Sequence, residues 1–243
     1  MESIVTTRIN TGILLDEFRG GIRFGTDTLL LSHFCGRGKN GCDLGSGSGV
    51  LSFLLLTSGR ASHMTGVELI KEYAELSVSN ARKNGFSEKY VCINRGVEDA
   101  AGTIKAGSMD FAVSNPPYLK AARVNDRKNT NPLKYAAYHE TTADIDKFCS
   151  FAGYILKSGG RFYCVYRPEY LAKLVSAMDR HRIKLKKLRF VYPSEGKPPC
   201  LILTEGKKDG NDGVTTLPPL YIYADGTHTK YSAETDGIYN ELA

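Results

Sequence analysis

Asp43-Leu44-Gly45-Ser46-Gly47-Ser48-Gly49 decides the fold of this 243-residue chain. It follows a turn, Gly38 to Gly41, and a short apolar run, and it opens onto Val50 to Leu56, which has helical length and apolarity. Strand, glycine loop, helix is the order of a ligand-binding unit in an open parallel sheet. Glycines at the strand end permit a tight turn and let a ligand approach the backbone with no Cβ in the way. Two common nucleotide readings fail on the residues themselves. Val50 stands where a dinucleotide fingerprint needs its third glycine, and the Gly-Lys-Ser/Thr of a P-loop is absent. The segment offers instead one acid inside the strand end, Asp43, and a second, Glu68, at the end of the next strand, Gly66-Val67-Glu68-Leu69. A carboxylate in the second position accepts both hydroxyls of a ribose. The pair suits a nucleoside cofactor with a cationic amine and no phosphate, and S-adenosylmethionine is such a molecule. The simpler alternative makes Asp43 a cap for the next helix and Glu68 a solvated acid.

Outward from the loop, strands and helices keep alternating. His63 to Leu69 reads as a second strand, Lys71 to Asn84 as a helix stopped by Gly85, and Tyr90 to Ile93 as a third strand. Met109 to Ser114 is a fourth strand, and Pro116 and Pro117 cannot continue its ladder. Ile145, Phe148, Cys149, Ala152, Ile155 and Leu156 recur at helical spacing, predicting a helix from Thr142 that Gly159-Gly160 ends. Arg161 to Tyr166 is a strand and Glu169 to Met178 a helix. The tail is β-rich: Lys186 to Tyr192 and Cys200 to Thr204 flank Pro-Ser-Glu-Gly-Lys-Pro-Pro, and Leu220 to Tyr223 follows. This pattern predicts an α/β fold, a mainly parallel sheet covered on both faces with an antiparallel C-terminal hairpin. With no repeat or linker, one domain over 1–243 is expected, with a cofactor-binding half (1–118) and a substrate-facing half (119–243).

Composition bounds the function. A hydrophobic content of 42% and a net charge of +6 exclude an intrinsically disordered chain. The charge is unevenly spread: residues 1–118 hold 12 basic and 12 acidic side chains, residues 119–243 hold 20 and 14. The whole excess lies in the second half, which points to an anionic partner there or to a solvated surface. Six scattered cysteines without CxxC spacing read as reduced thiols. The start lacks the regions of a signal peptide, and Val50 to Leu56 is too short to span a bilayer, so a cytoplasmic protein is expected. The five histidines show no metal-like spacing, and no metal is expected.

Ser114-Asn115-Pro116-Pro117-Tyr118 ends the fourth strand, at the carboxyl edge where ligands bind in such sheets. An amine conjugated to a ring is a poor nucleophile because its lone pair is delocalised. Methylating it requires acceptors that grip both N–H bonds and steer the lone pair toward the donor. Asn115 Oδ1 and the Pro116 carbonyl are candidates; the diproline stiffens the loop, and Tyr118 offers a face for stacking. The catalysis is mostly positioning. A plain strand-terminating turn is the alternative, since Asn-Pro is common in turns. Upstream, Arg23 to Thr28 precedes the apolar helix start Leu29 to Phe34, and Phe24, Thr26 and Asp27 at that helix N-terminus are candidates to meet a cofactor carboxylate.

Phe24-Gly25-Thr26-Asp27-Thr28-Leu29, Asp43 to Gly49, Val67-Glu68-Leu69 and Ser114 to Tyr118, in that order, resemble the class I S-adenosylmethionine-dependent methyltransferases acting on amines. The closer resemblance is to the bacterial tRNA(Val) adenine-N6 methyltransferase family, which modifies the adenosine 3′ of the anticodon. It extends through Tyr138-His139-Glu140, the PSEGKPPCLILTEGKK segment from Pro193 and LPPLYIY from Leu217. The resemblance implies a Rossmann-like, seven-stranded methyltransferase sheet and a tRNA substrate. It also implies that Asp43, Gly45 and Gly47 hold the methionine end of the cofactor, Glu68 with Leu69 its ribose side, and Asn115 to Tyr118 the target adenine. One feature departs from the pattern: where relatives place an acid after strand three for the cofactor's adenine, Gly96 stands, leaving Glu98 or Asp99 to substitute.

Two basic groups are candidates for RNA. The long segment after Tyr118 carries Lys120, Arg123, Arg127, Lys128 and Lys134, and a second row holds Arg180, Arg182, Lys184, Lys186, Lys187 and Arg189 with no acid among residues 180–189. Lysines that merely protect an edge strand are the alternative for the second row. Rival functions are glutamine methylation of release factors, for which the N-terminal helical substrate domain has no room before Asp43, guanine-N2 methylation of rRNA, and DNA adenine methylation, which needs a recognition insertion. A non-catalytic RNA-binding scaffold is disfavoured by the intact Asp43, Glu68, Asn115 and Tyr118.

Overall fold

The computed structural model describes residues 3–9, 12–21, 24–116 and 144–241. β3 (Gly38–Leu44) enters the glycine loop and α2 (Val50–Thr57) leaves it, with α1 (Thr26–Phe34) ahead of them. β4 (Ala61–Glu68), α3 (Lys71–Lys83), β5 (Tyr90–Asn94) and β6 (Met109–Ser114) continue the alternation. α4 (Ile145–Ile155), β7 (Leu156–Tyr166), α5 (Leu171–Arg180), β8 (Ile183–Tyr192) and β9 (Leu201–Lys208) complete it. The strand order is β5-β4-β3-β6-β7-β9-β8. Every pairing in that series is parallel except those of β9, which runs antiparallel to β7 and β8. The expected seven-stranded sheet is therefore present, with two-residue strands β10 (Thr215–Thr216) and β11 (Leu220–Tyr221) added parallel to the outer side of β8.

Apolar residues cover both faces of the sheet. One core gathers Leu29 to Leu31, Phe53 to Leu55, Phe111 and Tyr163; the other gathers Ile145, Phe148, Phe162, Leu174 and Met178. Every residue of α2 from Val50 to Leu56 is buried, as suits a helix that is apolar all round. Boundaries differ from the sequence reading at two places: Gly38 to Gly41, read as a turn, is the first part of β3, paired with β4, and the fourth helix is shorter than expected. α4 ends at Ile155, not at Gly159-Gly160, because Leu156 already pairs with Met109 of β6. The next pair is Phe111 with Arg161, so β7 spends five residues where β6 spends two. Gly159, at φ +80°, belongs to that irregularity, the other structural use of glycine in a strand.

Besides the two-residue β10, three elements were not read from the sequence: the antiparallel hairpin β1 (Ile4–Arg8) and β2 (Leu14–Phe18), and α6 (Ala233–Glu241). β1 is largely exposed, and β2 fully buries only Leu15 and Glu17 of its five residues, one of them an acid, so the apolar alternation is weak. The hairpin's place is set by two asparagines one turn apart, Asn80 on α3 and Asn84 at its C-cap. Asn84 Oδ1 accepts from the Leu14 N–H at 2.8 Å and its Nδ2 donates to the Leu14 carbonyl at 2.9 Å. Asn80 treats Asp16 the same way, at 2.9 and 3.0 Å. Residues i and i+4 of a helix are about 6 Å apart along its axis, close to the roughly 6.8 Å between residues i and i+2 of a strand. The helix thus presents two side-chain amides in the register of a neighbouring strand.

Candidate active site

The glycine loop is anchored on β4. The Gly45 and Ser46 N–H groups both donate to the Val67 carbonyl, at 2.8 and 3.1 Å, and the Gly47 N–H donates to Glu68 Oε2 at 2.8 Å. Glu68 Oε1 accepts from the Ile70 N–H at 2.9 Å, so this carboxylate joins the loop to the start of α3. Each of its oxygens keeps a further lone pair. Gly47 has φ +53° and a Cβ there would meet nothing within 4 Å among the described residues, which leave this face of the loop open. Gly49, at φ +87°, is glycine for packing, since a Cβ would fall 2.6 Å from Phe53 Cζ.

Asp43 lies buried beneath the loop. Its Oδ2 accepts from Ser52 Oγ at 2.9 Å, in the first turn of α2, so part of the capping alternative is realised. Its Oδ1 is buried with no hydrogen-bond partner among the described residues. Burial pushes the Asp43 carboxyl up to about 7, Glu68 adding to the rise and Ser52 opposing it. Burial raises Glu68 as well, against the backbone N–H groups that favour its ionised form. Two desolvated acids, one with an unpartnered oxygen, favour a cation in the space above the loop. An open Gly47, spare lone pairs on Glu68 and that negative field together fit a ligand with a diol and a cationic amine.

Asn115 is held beside this space. Ser114 Oγ donates to the Leu44 carbonyl at 2.8 Å, tying the end of β6 to the start of the glycine loop. Asn115 Nδ2 donates to Thr28 Oγ1 at 3.0 Å, which fixes the plane of its amide. Thr28 sits in the first turn of α1, whose N-cap is Gly25. Around it, Asp27 Oδ1 accepts from the Thr28 N–H at 2.8 Å, and Thr26 Oγ1 and Tyr239 Oη of α6 are 3.1 Å apart. The Phe24 N–H donates to Glu17 Oε1 at 3.1 Å. Thr28 and Glu17 are positioning residues that the sequence reading missed. Glu17 had a signal: an acid that alternates with Leu15 on the inward face of β2. Thr28 had none beyond its place in the helix start.

Leu69 is exposed beside Glu68, and its carbonyl accepts from Asn94 Nδ2 at 2.9 Å. Near Gly96, Glu98 Oε2 lies 3.0 Å from the point a Cβ on Gly96 would occupy. Glu98 Oε1 accepts from Lys147 Nζ at 2.8 Å, and that bond holds its carboxyl below the ordinary range. The carboxylate of Glu98 therefore fills the place that a side chain at position 96 would take.

The second basic row is not brought to this site. β8 runs parallel to β6, and Lys184 is level, through Lys207 and Arg161, with Phe111, whereas Ser114 is level with Leu188. Arg182 and Lys184 thus stand toward the amino end of the sheet, away from Asn115. Acids pair with most of the row: Arg182 meets Asp209 at 2.8 Å, and Lys184 meets Asp179, five residues back, and Asp212. Lys186 donates to the carbonyls of Asn211 and Asp212 at 3.1 and 3.3 Å. Arg180, Lys187 and Arg189 pair with Asp146, Glu205 and Glu234. Pro117, Tyr118, the 138–140 segment and the first basic group, Lys120, Arg123, Arg127, Lys128 and Lys134, lie outside the described residues. Among the described residues no three His, Cys, Asp or Glu side chains gather to hold a metal ion, and no helix is long and apolar enough to cross a membrane.

Comparison with known proteins agrees with this geometry. The family model of the methyltransferase small domain matches residues 19–191. A tRNA1(Val) (adenine(37)-N6)-methyltransferase of Porphyromonas gingivalis is 27% identical over 200 residues, 79% of this chain and 76% of that protein. Its namesake in Aliivibrio salmonicida is 24% identical over 91% of this chain and 88% of its own length. Among solved structures, one described as a predicted O-methyltransferase of Agrobacterium tumefaciens superposes with a TM-score of 0.70 at 19% identity, covering 89% of this chain and 96% of its own. The geranyl diphosphate C-methyltransferase of Streptomyces coelicolor, in complex with S-adenosyl-L-homocysteine, gives 0.56 at 14% identity, over 75% and 76%. These structural likenesses establish a methyltransferase fold.

Proposed function

The chain belongs to the methyltransferase small domain family, and from that premise we propose that it methylates the exocyclic N6 amine of an adenosine in tRNA, using S-adenosylmethionine. The adenosine is the one 3′ of the anticodon of tRNA(Val), the substrate in the names of the relatives that match most of the chain. When bound, the cofactor supplies an electrophilic methyl group on a sulfonium. Asp43 provides negative charge beneath the glycine loop for the cationic end, Gly45 and Gly47 provide open backbone, and the spare lone pairs of Glu68 receive the ribose hydroxyls. Leu69 gives an apolar surface beside them, and Glu98 an acceptor where Gly96 has none.

The observation that carries the reading is the Asn115 amide, held by Thr28 at the end of β6. With Nδ2 committed to Thr28, Oδ1 and the Pro116 carbonyl accept the two N–H bonds of the target amine and turn its lone pair out of the ring plane. After transfer they pass the surplus proton to water. Pro117 and Tyr118 complete this grip, with Tyr118 stacking on the adenine. Phe24, Thr26 and Asp27 border the same site at the start of α1. Lys120, Arg123, Arg127, Lys128 and Lys134 contact RNA phosphates, and the two halves of the chain work as one unit in the cytoplasm. For Arg182 and Lys184 the ion pairs described above, and for Lys186 its bonds to backbone carbonyls, favour a structural role over phosphate binding.

Purified protein incubated with labelled S-adenosylmethionine and unmodified tRNA(Val) is expected to yield N6-methyladenosine. Asn115→Ala should lose about two or more orders of magnitude in turnover while still binding S-adenosylhomocysteine. Transfer to a release factor and not to tRNA would overturn the RNA reading.

A further inference from the structure

A column of parallel rings leads from the candidate site to the surface. Tyr239 and Tyr231 stack at 4.8 Å between centroids and 17° between planes, Tyr231 and Tyr223 at 5.5 Å and 14°, and Tyr223 and His228 at 4.7 Å and 16°. Elsewhere, Phe34 with Tyr163, at 87°, and Phe18 with Tyr73, at 78°, meet edge to face, and Phe53 with Phe86, at 15°, stacks as a pair only. Four rings face to face in series are a different construction. Its inner end is tied to the catalytic loop: Tyr239 Oη is 3.1 Å from Thr26 Oγ1, and Thr28, two residues on, holds Asn115. Its middle is tied to the carboxyl edge of the sheet, because the Tyr223 N–H donates to the Pro193 carbonyl at 2.9 Å, just past β8.

The outer end is His228, an exposed residue with φ +58°. That left-handed conformation is uncommon for a residue other than glycine and is strained. The turn that holds it is closed by Asp225, which accepts from the Thr227 N–H and hydroxyl at 2.9 and 2.6 Å. One face of the imidazole is covered by Tyr223, and exposed Lys230 follows two residues later. An imidazole laid flat on a ring column at the surface offers its second face to another planar ring.

We infer that the His228–Tyr223–Tyr231–Tyr239 column is a stacking platform for a nucleobase of the RNA substrate that flanks the target adenosine. The inference rests on the RNA reading above. To reach Asn115 the target base must leave its own stack, and its neighbour then loses a stacking partner. The column replaces that partner on the same edge of the sheet as the reacting amine. Aromatic platforms of this kind bind bases through their π-faces.

The chain contains no tryptophan, so His228→Trp introduces a sole indole reporter. The probe is the unmodified anticodon stem-loop of tRNA(Val), titrated with S-adenosylhomocysteine present. His228→Ala is expected to raise KM for this RNA about tenfold, with affinity for S-adenosylhomocysteine unchanged. His228→Trp should restore KM, and its emission should be quenched saturably by the stem-loop. The platform is overturned if His228→Ala keeps KM within twofold of the parent, or if the RNA leaves the tryptophan emission unchanged. Failure of the parent protein itself to methylate full-length unmodified tRNA(Val) would overturn the RNA reading, and the platform with it.

Discussion

Asp43 shows how a single side chain trades stability for binding. Its carboxyl is pushed up to about 7, against about 3.9 for an aspartate in an unfolded chain. Between those values the folded chain holds a proton that the unfolded chain has released, so this residue's contribution to stability falls as pH rises from about 4 to about 7. Above that range the ionised group stays buried at a cost of at most about 4 kcal/mol. Asp43→Asn removes the charge, and the ligand-free variant should melt a few degrees higher than the parent at pH 8, the gap narrowing toward pH 5. Its affinity for S-adenosylhomocysteine should fall at least about tenfold. Calorimetry at the two pH values and a binding titration check both, and a variant that melts lower at pH 8 would contradict the assignment. At this scale the sequence was informative wherever chemistry sits at a strand end: Asp43, Glu68 and Asn115 all fall where the motif order places them. It was mute on Thr28, whose role exists only because the fold brings the first turn of α1 within hydrogen-bond reach of the residue that follows β6.

Elements were legible in proportion to the apolar surface they bury. α2, α3 and α4 pack into the cores and have the spacing to match. α6 buries only Thr235 and Ile238, and the β1–β2 hairpin relies on hydrogen bonds from another element, so neither leaves a periodic trace. Gly159-Gly160 was misread because glycine ends helices and interrupts strands alike. The hairpin's dependence on α3 has a measurable size. Asn80 is fully buried and bonds to both backbone groups of Asp16 and to the Ser48 carbonyl at 3.1 Å. Asn80→Ala leaves those groups without partners and should cost about 2 to 4 kcal/mol. Urea unfolding should show a lower midpoint with an unchanged slope; a midpoint within error of the parent would mean that water replaces the amide. Because Ser48 belongs to the glycine loop, the same variant links the hairpin to the cofactor site.

Over the whole molecule the charge pattern was only half legible. The sequence locates the +6 excess in residues 119–243, but the row from Arg180 to Arg189 looked unpaired because, apart from the adjacent Asp179, its acids come from Asp146, Glu205, Asp209, Asp212 and Glu234. Linear distance hides ion pairs that a hairpin and a neighbouring helix create. With most of that row paired, phosphate binding falls to cations elsewhere in the second half. Raising salt from 50 to 200 mM should lower kcat/KM for tRNA at least about tenfold and leave S-adenosylhomocysteine binding nearly unchanged. A salt-insensitive reaction on tRNA would return the excess charge to a role in solubility. The two asparagines of α3 have a last consequence. A strand with β1 on one side would ordinarily offer its other side to any passing chain, the usual start of edge-to-edge aggregation. Asn80 and Asn84 occupy the Leu14 and Asp16 groups that such a chain would need. Two carboxamides on a helix thereby keep copies of this protein from recruiting one another through β2.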